Sequence, residues 1–411
     1  MMSASLTTSI DNPVKKQPRL LSLDALRGFD MFWIISGEQI FQGIASVIQA
    51  KYNLTRNAAN WRINTDERLS ISERLMVGVS NQFHHSPWNG FTFYDLIFPL
   101  FIFIAGISMA FSYGKPLPQS KAEAKAITWA RYQQLFKRTC LLILLGMVVN
   151  GLLKFQGYDQ TRFASVLGRI GLACFFAAII YLNASFRWQL VWFGLILLGY
   201  WMLVAWVPVP HYGAGVLSPA ENLPAYIDQH FLPGKLHRKV YDPEGLLSTI
   251  PAIATAMMGL FTGRFLQWEA DNKLSPVKKM LIMFATGILL VITGLVWNIS
   301  FPINKTLWTS SFAIYAGGWS LLLFSVFYGI IDVAGYKKWC QPFVWIGTNA
   351  ILIYVATEGL INFEFTSQYL FGGIINKMPQ PWHQAGIWIG VLLIELLLMR
   401  FLYRKKTFLK F

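Results

Sequence analysis

Ten apolar runs of spanning length constrain this chain more than any single motif; they fall at about 23–47, 92–113, 133–153, 163–183, 187–207, 245–267, 277–300, 307–331, 342–362 and 383–403. Each is close to the roughly 20 residues that a helix needs to cross a bilayer core. The expected fold class is therefore all-α, a polytopic membrane helical bundle of about ten transmembrane helices. Composition agrees: 55% of the 411 residues are hydrophobic and 13% are charged, where a soluble domain carries roughly a quarter charged.

A net charge of +15 would suggest nucleic acid in a soluble protein, but here Lys and Arg fall in the connections between apolar runs, where they act as topology signals. Nucleic acid is excluded as a partner on that ground, and the lipid bilayer takes its place. Lys15, Lys16 and Arg19 precede the first run, and Arg404, Lys405, Lys406 and Lys410 follow the last. The connections at 114–132, 264–279 and 332–341 are also basic. Both ends are therefore expected to be cytoplasmic, with residues 1–18 a flexible tail and 19–411 the transmembrane domain. Cys140, Cys174 and Cys340 lie in or beside apolar runs without CxxC spacing, so neither a disulfide framework nor a metal site is expected.

The two long connections, 48–91 and 208–244, then lie on the far side. The first carries Trp61, Asp66, Glu67 and Glu73 and has enough helical character to fold over the bundle mouth. The second is rich in Pro and Gly and ends in Tyr241-Asp242-Pro243-Glu244-Gly245, where a built loop meets a helix start.

Several residues could carry chemistry. His84 and His85 sit against the Trp88-Asn89-Gly90 turn, with Asp95 entering the next run. Histidine titrates near neutrality and serves as general base or nucleophile; equally, an interfacial histidine caps a helix or meets lipid headgroups. Asp24, Arg27 and Asp30 share one face of the first helix. Glu38 lies about 12 Å above Asp30 at 1.5 Å per residue, at the depth of the histidines. An acid inside a span is costly and faces the bundle interior or a watery path; its structural alternative is an ion pair with Arg169 or a hydrogen bond to a neighbouring helix. Arg162 and Arg169, seven residues apart, are expected on one helical face, where guanidinium groups suit phosphate or carboxylate; Arg162 equally suits snorkelling at the interface. Asn304, Lys305, Trp308 and Asn349 add polar groups that together suggest a lined cavity. No P-loop, GxSxG, HExxH or dinucleotide fingerprint is present.

Motifs in order along the chain carry a resemblance. Arg19-Leu20-Leu21-Ser22-Leu23-Asp24-Ala25-Leu26-Arg27-Gly28 resembles the RLxSxDxxRG opening of the heparan-alpha-glucosaminide N-acetyltransferase family. His85-Ser86-Pro87-Trp88-Asn89-Gly90 is similar to its HAxWNG motif, and Asp95-Leu96-Ile97-Phe98-Pro99 follows at the family spacing. Further matches are Val166-Leu167-Gly168-Arg169-Ile170-Gly171, the Tyr241–Gly245 segment, Pro302-Ile303-Asn304-Lys305-Thr306-Leu307-Trp308 and Tyr403-Arg404-Lys405-Lys406. The resemblance leads to the expectation of a bacterial-type homologue without the family's N-terminal luminal segment, set in a bacterial inner membrane. Glu38 stands where the animal enzymes have asparagine, and Ser86-Pro87 replaces Ala-Ser.

The resemblance implies acetyl transfer from cytoplasmic acetyl-CoA, a co-substrate, to the amine of a glucosamine-type acceptor on the far side. It selects His85 over His84 as the catalytic histidine, acting as general base or carrying the acetyl group as acetyl-imidazole. Glu38 would orient His85 or bind the acceptor's ammonium, and Asp95 would support the site. Arg162 and Arg169 would hold the CoA phosphates, and Trp88, Asn89, Glu244, Asn304, Lys305 and Trp308 would meet the acceptor. A homodimer is among the expected partners. The competing expectations are a transporter or flippase of a sugar or acylated glycan, marked by a symmetric pair of broken helices at the midplane, and transfer to a sugar hydroxyl.

Overall fold

A computed structural model describes residues 20–57, 61–114, 120–268 and 274–408. The expected tail at 1–18 lies outside the described residues, as do Arg19 and Lys410. The described chain is helical, without β-strands.

The first helix, α1, runs Leu21–Tyr52 through a π-helical turn at Trp33–Gly37. The polar connection after it contains α2, Ile71–Gln82, started by a capping box in which the Ser70 and Glu73 side chains each accept from the other's backbone N–H. Lys51 at the end of α1 pairs with Glu73 at 2.8 Å, and Phe83 stacks on Trp33 with ring centroids 4.7 Å apart. The connection thus folds down on the bundle, as its helical character suggests.

Next come α3, Phe93–Tyr113, α4, Lys121–Val149, α5, Val166–Asn183, and α6, Phe186–Trp206. The 208–244 connection holds α7, Leu223–Phe231, capped by Asn222. Then follow α8, Thr249–Gln267, α9, Pro276–Trp297, and α10, Ser310–Val333. A bent pair, α11 Gln341–Gly347 and α12 Ala350–Leu360, turns through 73° at Thr348–Asn349. The short α13, Phe363–Ile375, lies against α14, Gln380–Arg404.

Among the described residues, eight helices are long and apolar enough to cross a membrane, or nine if the bent pair is one span. This agrees with the expected bundle of about ten, and two runs account for the difference. The run at 342–362 is broken where the Asn349 side chain leaves the helix to donate to the Thr407 carbonyl at 3.0 Å. The run at 133–153 belongs to the 29-residue α4, where Lys137 and Arg138 interrupt the apolar stretch. The integral membrane character holds.

One apolar core runs through the bundle, with α3 at its centre. Helices associate in lipid by close packing rather than by hydrophobic burial, so small residues mark the tightest crossings. Gly106 of α3 and Gly259 of α8 meet at such a crossing: a Cβ on Gly106 would strike the Ala256 carbonyl, and one on Gly259 the Phe103 carbonyl. Because the obstacle is backbone, neither helix can yield by a rotamer change. Gly259→Val is expected to destabilise the bundle by about 1–3 kcal/mol or more, read as a lowered thermal midpoint in detergent.

Candidate active site

Asp95 is the third residue of α3, and Thr92 precedes the helix. The Thr92 backbone N–H and hydroxyl donate to Asp95 Oδ2 at 3.1 and 3.0 Å, and the Ser86 N–H donates to it at 3.2 Å. A carboxylate at a helix N-terminus is further favoured by the helix dipole. The other oxygen, Oδ1, lies 2.8 Å from His85 Nδ1. An ionised carboxylate only accepts, so the imidazole proton belongs on Nδ1 and the lone pair on Nε2.

The turn carrying His85 is pinned from several sides. Ser86 Oγ donates to the Asn89 carbonyl at 2.7 Å, and Gly90, at φ 116°, donates its N–H to the Ile303 carbonyl at 2.8 Å. The Asn304 side chain donates to Asn89 Oδ1 at 3.1 Å, while the Trp88 indole donates to the Leu217 carbonyl at 2.8 Å. Trp88, Asn89 and Asn304 therefore build the His85 turn.

Lys305 arrives from the same loop as Asn304. Its Nζ lies 3.1 Å from Nδ1 and 3.2 Å from Nε2 of His85, and 3.7 Å from Asp95. Equal distances to both ring nitrogens place the ammonium over the ring, since an in-plane position would collide with Cε1. Tyr94 packs against His85 with ring centroids 4.7 Å apart, and its hydroxyl donates to Glu38. Glu38 also accepts from Gln42 at 2.7 Å. It thus reaches the level of His85 but acts on it through Tyr94, and Asp95 is the group that orients the imidazole.

Enclosure in the cavity lowers the affinity of His85 for a proton, and the Lys305 charge lowers it further, against the opposing pull of Asp95. Burial likewise lowers that of Lys305. His85 is consequently neutral at physiological pH, as a base or nucleophile must be. Replacing Lys305 by Met removes a repelling charge, so the imidazole should protonate at higher pH. The acid limb of the normalised pH–rate profile is expected to move up by about one unit.

His85, Lys305 and Tyr94 face a cavity of about 230 Å³ that also takes in Glu244, Tyr354 and Glu358 and continues between apolar side chains to Phe101 and Ile170. At the opposite end of the bundle, where α3 ends at Tyr113, a larger cavity of about 1030 Å³ is lined by Arg131, Arg264, Gln189, Gln267, Tyr181 and Trp268. Arg264 lies over the Phe186 ring at 4.8 Å.

Three expectations are corrected. Arg162 and Arg169 do not share a helical face, because Ser165 caps α5, accepting from Gly168 N–H at 3.0 Å, and leaves Arg162 in an extended segment before it. Arg162 Nε and Nη2 donate to the two oxygens of Asp242 at 2.8 and 2.5 Å, and Nη2 also meets Glu244. Two carboxylates neutralise this guanidinium, so it is no open phosphate clamp. Burial would raise the Asp242 carboxyl, but Arg162 and two backbone N–H groups hold it below the usual carboxylate range.

Arg169 is 2% exposed. It donates to the Gly245 carbonyl at 3.2 Å and to Ser248, with its guanidinium 5.1 Å from the Trp308 ring centroid. It pairs with neither Glu38 nor an open surface. Trp308 does not line a mouth: its left-handed backbone, φ 48°, turns the indole into the core, where it is fully buried and donates to Thr255 at 3.3 Å. Tyr94, Tyr354 and Glu358 are site residues that the motifs did not single out, and Asp242 stands in the Tyr241–Gly245 motif without having been given a role.

The helices and this histidine–carboxylate pair define a polytopic membrane protein with a built reactive site at one end of its bundle. No family model matches the chain. It is similar to the heparan-alpha-glucosaminide N-acetyltransferase of Homo sapiens, 29% identical over 430 residues, covering 86% of this chain and 61% of the relative. It is also similar to that of Mus musculus, 29% identical over 376 residues, covering 75% of this chain and 55% of the relative. The chain therefore spans little more than half the length of these relatives, and the resemblance carried by its motifs extends over most of its own length.

Proposed function

We propose that the protein is a membrane-embedded acyltransferase that moves an acetyl group from acetyl-CoA to the amine of a glucosamine-type sugar. The observation that carries this is His85, oriented by Asp95 with its proton on Nδ1, in a cavity that leads into the bundle; similarity to two N-acetyltransferases agrees with it. As the amine nitrogen attacks the thioester carbonyl, the C–N bond forms and the C–S bond breaks. Nε2 takes a proton from the nitrogen and returns it to the departing thiolate. If the acetyl group first rests on Nε2, the same atom acts as nucleophile; both routes require it unprotonated.

The charge asymmetry of the connections supports cytoplasmic ends and an acceptor on the far side. The donor's phosphates are assigned to the opposite cavity, where Arg131 and Arg264 supply cationic groups among aromatic and amide side chains. Twelve residues, about 18 Å at 1.5 Å per residue, separate Phe101 from Tyr113 along α3. An extended pantetheine arm is needed to bridge that interval. Against the transporter, the described residues contain one bent helix pair and no symmetric mate. Against a hydroxyl acceptor, the cavity is lined by Glu358, a carboxyl group without an ion-pair partner among the described residues, which suits a cation.

The test is purified protein with acetyl-CoA and glucosamine. One thiol released per N-acetylglucosamine formed is the expected result; thiol release without an amide product, or no thiol release, would overturn it.

A further inference from the structure

The acceptor's proton balance asks more of the cavity than His85 supplies. At neutral pH a glucosamine amine is largely an ammonium, and its nitrogen must lose two protons to become an amide. The overall change is R–NH3+ plus acetyl-CoA giving R–NH–acetyl, CoA thiol and one H+. The proton handled by His85 leaves on the thiol. The other must leave the nitrogen before attack, because an ammonium has no lone pair, and one imidazole cannot hold both.

Two carboxyl groups line the cavity. Glu244 is engaged by Arg162. Glu358 opens to the cavity and has no hydrogen-bond or ion-pair partner among the described residues. Its backbone lies in a π-helical turn, Ala356–Leu360, beyond the bend between α11 and α12. Glu38 directly follows the other π-helical turn of this region, Trp33–Gly37. Such turns re-aim side chains and are frequent at functional sites.

A single buried carboxyl ties the two turns together. Glu395 of α14, fully buried, accepts from Ser36 in the first turn and from Thr357 in the second, the latter at 3.1 Å. Thr357 is the residue next to Glu358.

Building on the acetyltransferase proposal above, we infer that Glu358 binds the acceptor's ammonium group and takes its first proton, with Glu395 as the positioning residue that fixes its turn. Glu358 is then what makes the site prefer a cationic sugar to a neutral one.

The experiment separates this from the acetyl-transfer reading by measuring binding without turnover. Calorimetry on the His85→Ala protein compares glucosamine with glucose. Adding Glu358→Gln is expected to weaken glucosamine binding about tenfold and leave glucose unchanged. In the otherwise wild-type enzyme, E358Q should raise KM for glucosamine and affect a weakly basic amine, neutral at the assay pH, much less. Glu395→Leu should reduce the preference for glucosamine in the same way, and Glu395→Gln, whose amide oxygen accepts from one of the two hydroxyls and whose NH2 donates to the other, should retain it. Equal loss for both sugars, or no loss, overturns the role of Glu358. Absence of acetyl transfer in the wild-type protein would instead overturn the reading on which it rests, with the binding comparison still decisive for Glu358.

Discussion

His85→Ala is expected to lower acetyl transfer by about 10²–10⁴-fold, the range that a positioned general base contributes, and by more if the imidazole also carries the acetyl group. The protein should remain folded, because the turn that bears His85 is held by the Ser86, Asn89, Gly90 and Asn304 hydrogen bonds. The loss should therefore appear in turnover while the thermal midpoint stays near that of the wild type. His84→Ala provides the contrast: its ring makes no polar contact with Asp95, and its Nε2 is buried without a partner among the described residues. It should retain most of the activity. If H84A and H85A were equally impaired, the assignment of the base to His85 would not stand.

Arg162→Ala is expected to be the most destabilising single change near the site. The Asp242 side chain is fully buried and Arg162 is 17% exposed, so removing the guanidinium strands two carboxylates together. Breaking a buried pair in this way costs about 3–5 kcal/mol. There is a second effect on the reaction. Glu244, released from Arg162, would place its uncompensated charge beside His85 and Lys305 in the shared cavity, favouring the protonated imidazole. R162A should thus combine a lowered thermal midpoint with an acid limb displaced to higher pH. Arg162→Lys, which keeps the charge but loses the two-pronged geometry, should fall between. An R162A protein with wild-type melting and pH dependence would show that the Arg162–Asp242–Glu244 cluster holds nothing in place.

Much of this was legible in the sequence because the membrane makes apolar runs unambiguous. All ten runs correspond to helical regions, and the acid that stands out in the first, Glu38, does reach the level of His85. The same rule applied to the runs at 342–362 and 383–403 would have singled out Glu358 and Glu395, each an acid inside an apolar segment. The errors have local physical causes. Ser165 starts α5 three residues after Arg162, so seven-residue spacing across the cap carried no helical meaning. Trp308 looked like a mouth residue because its neighbour Lys305 lines the cavity, but its left-handed backbone reverses the direction of the indole. Nothing in the sequence shows that Lys305 sits over a histidine 220 positions away, or that Asp242 and Glu244 occupy Arg162. Such pairings are set by how the two long connections fold over the bundle end. The π-helical turns at Trp33–Gly37 and Ala356–Leu360 have no compositional signal either, and they decide where the two glutamates point.

On the proposed function, a donor taken from one face of the membrane acetylates an amine on the other, at His85. Its most direct measurement uses sealed vesicles of uniformly oriented protein, with labelled acetyl-CoA supplied only at the face carrying the Arg131–Arg264 cavity and glucosamine only at the face carrying His85. Labelled N-acetylglucosamine should accumulate on the glucosamine side with wild-type protein and be lost with His85→Ala. Product that forms only when both substrates share one face, or that persists in H85A, would contradict it.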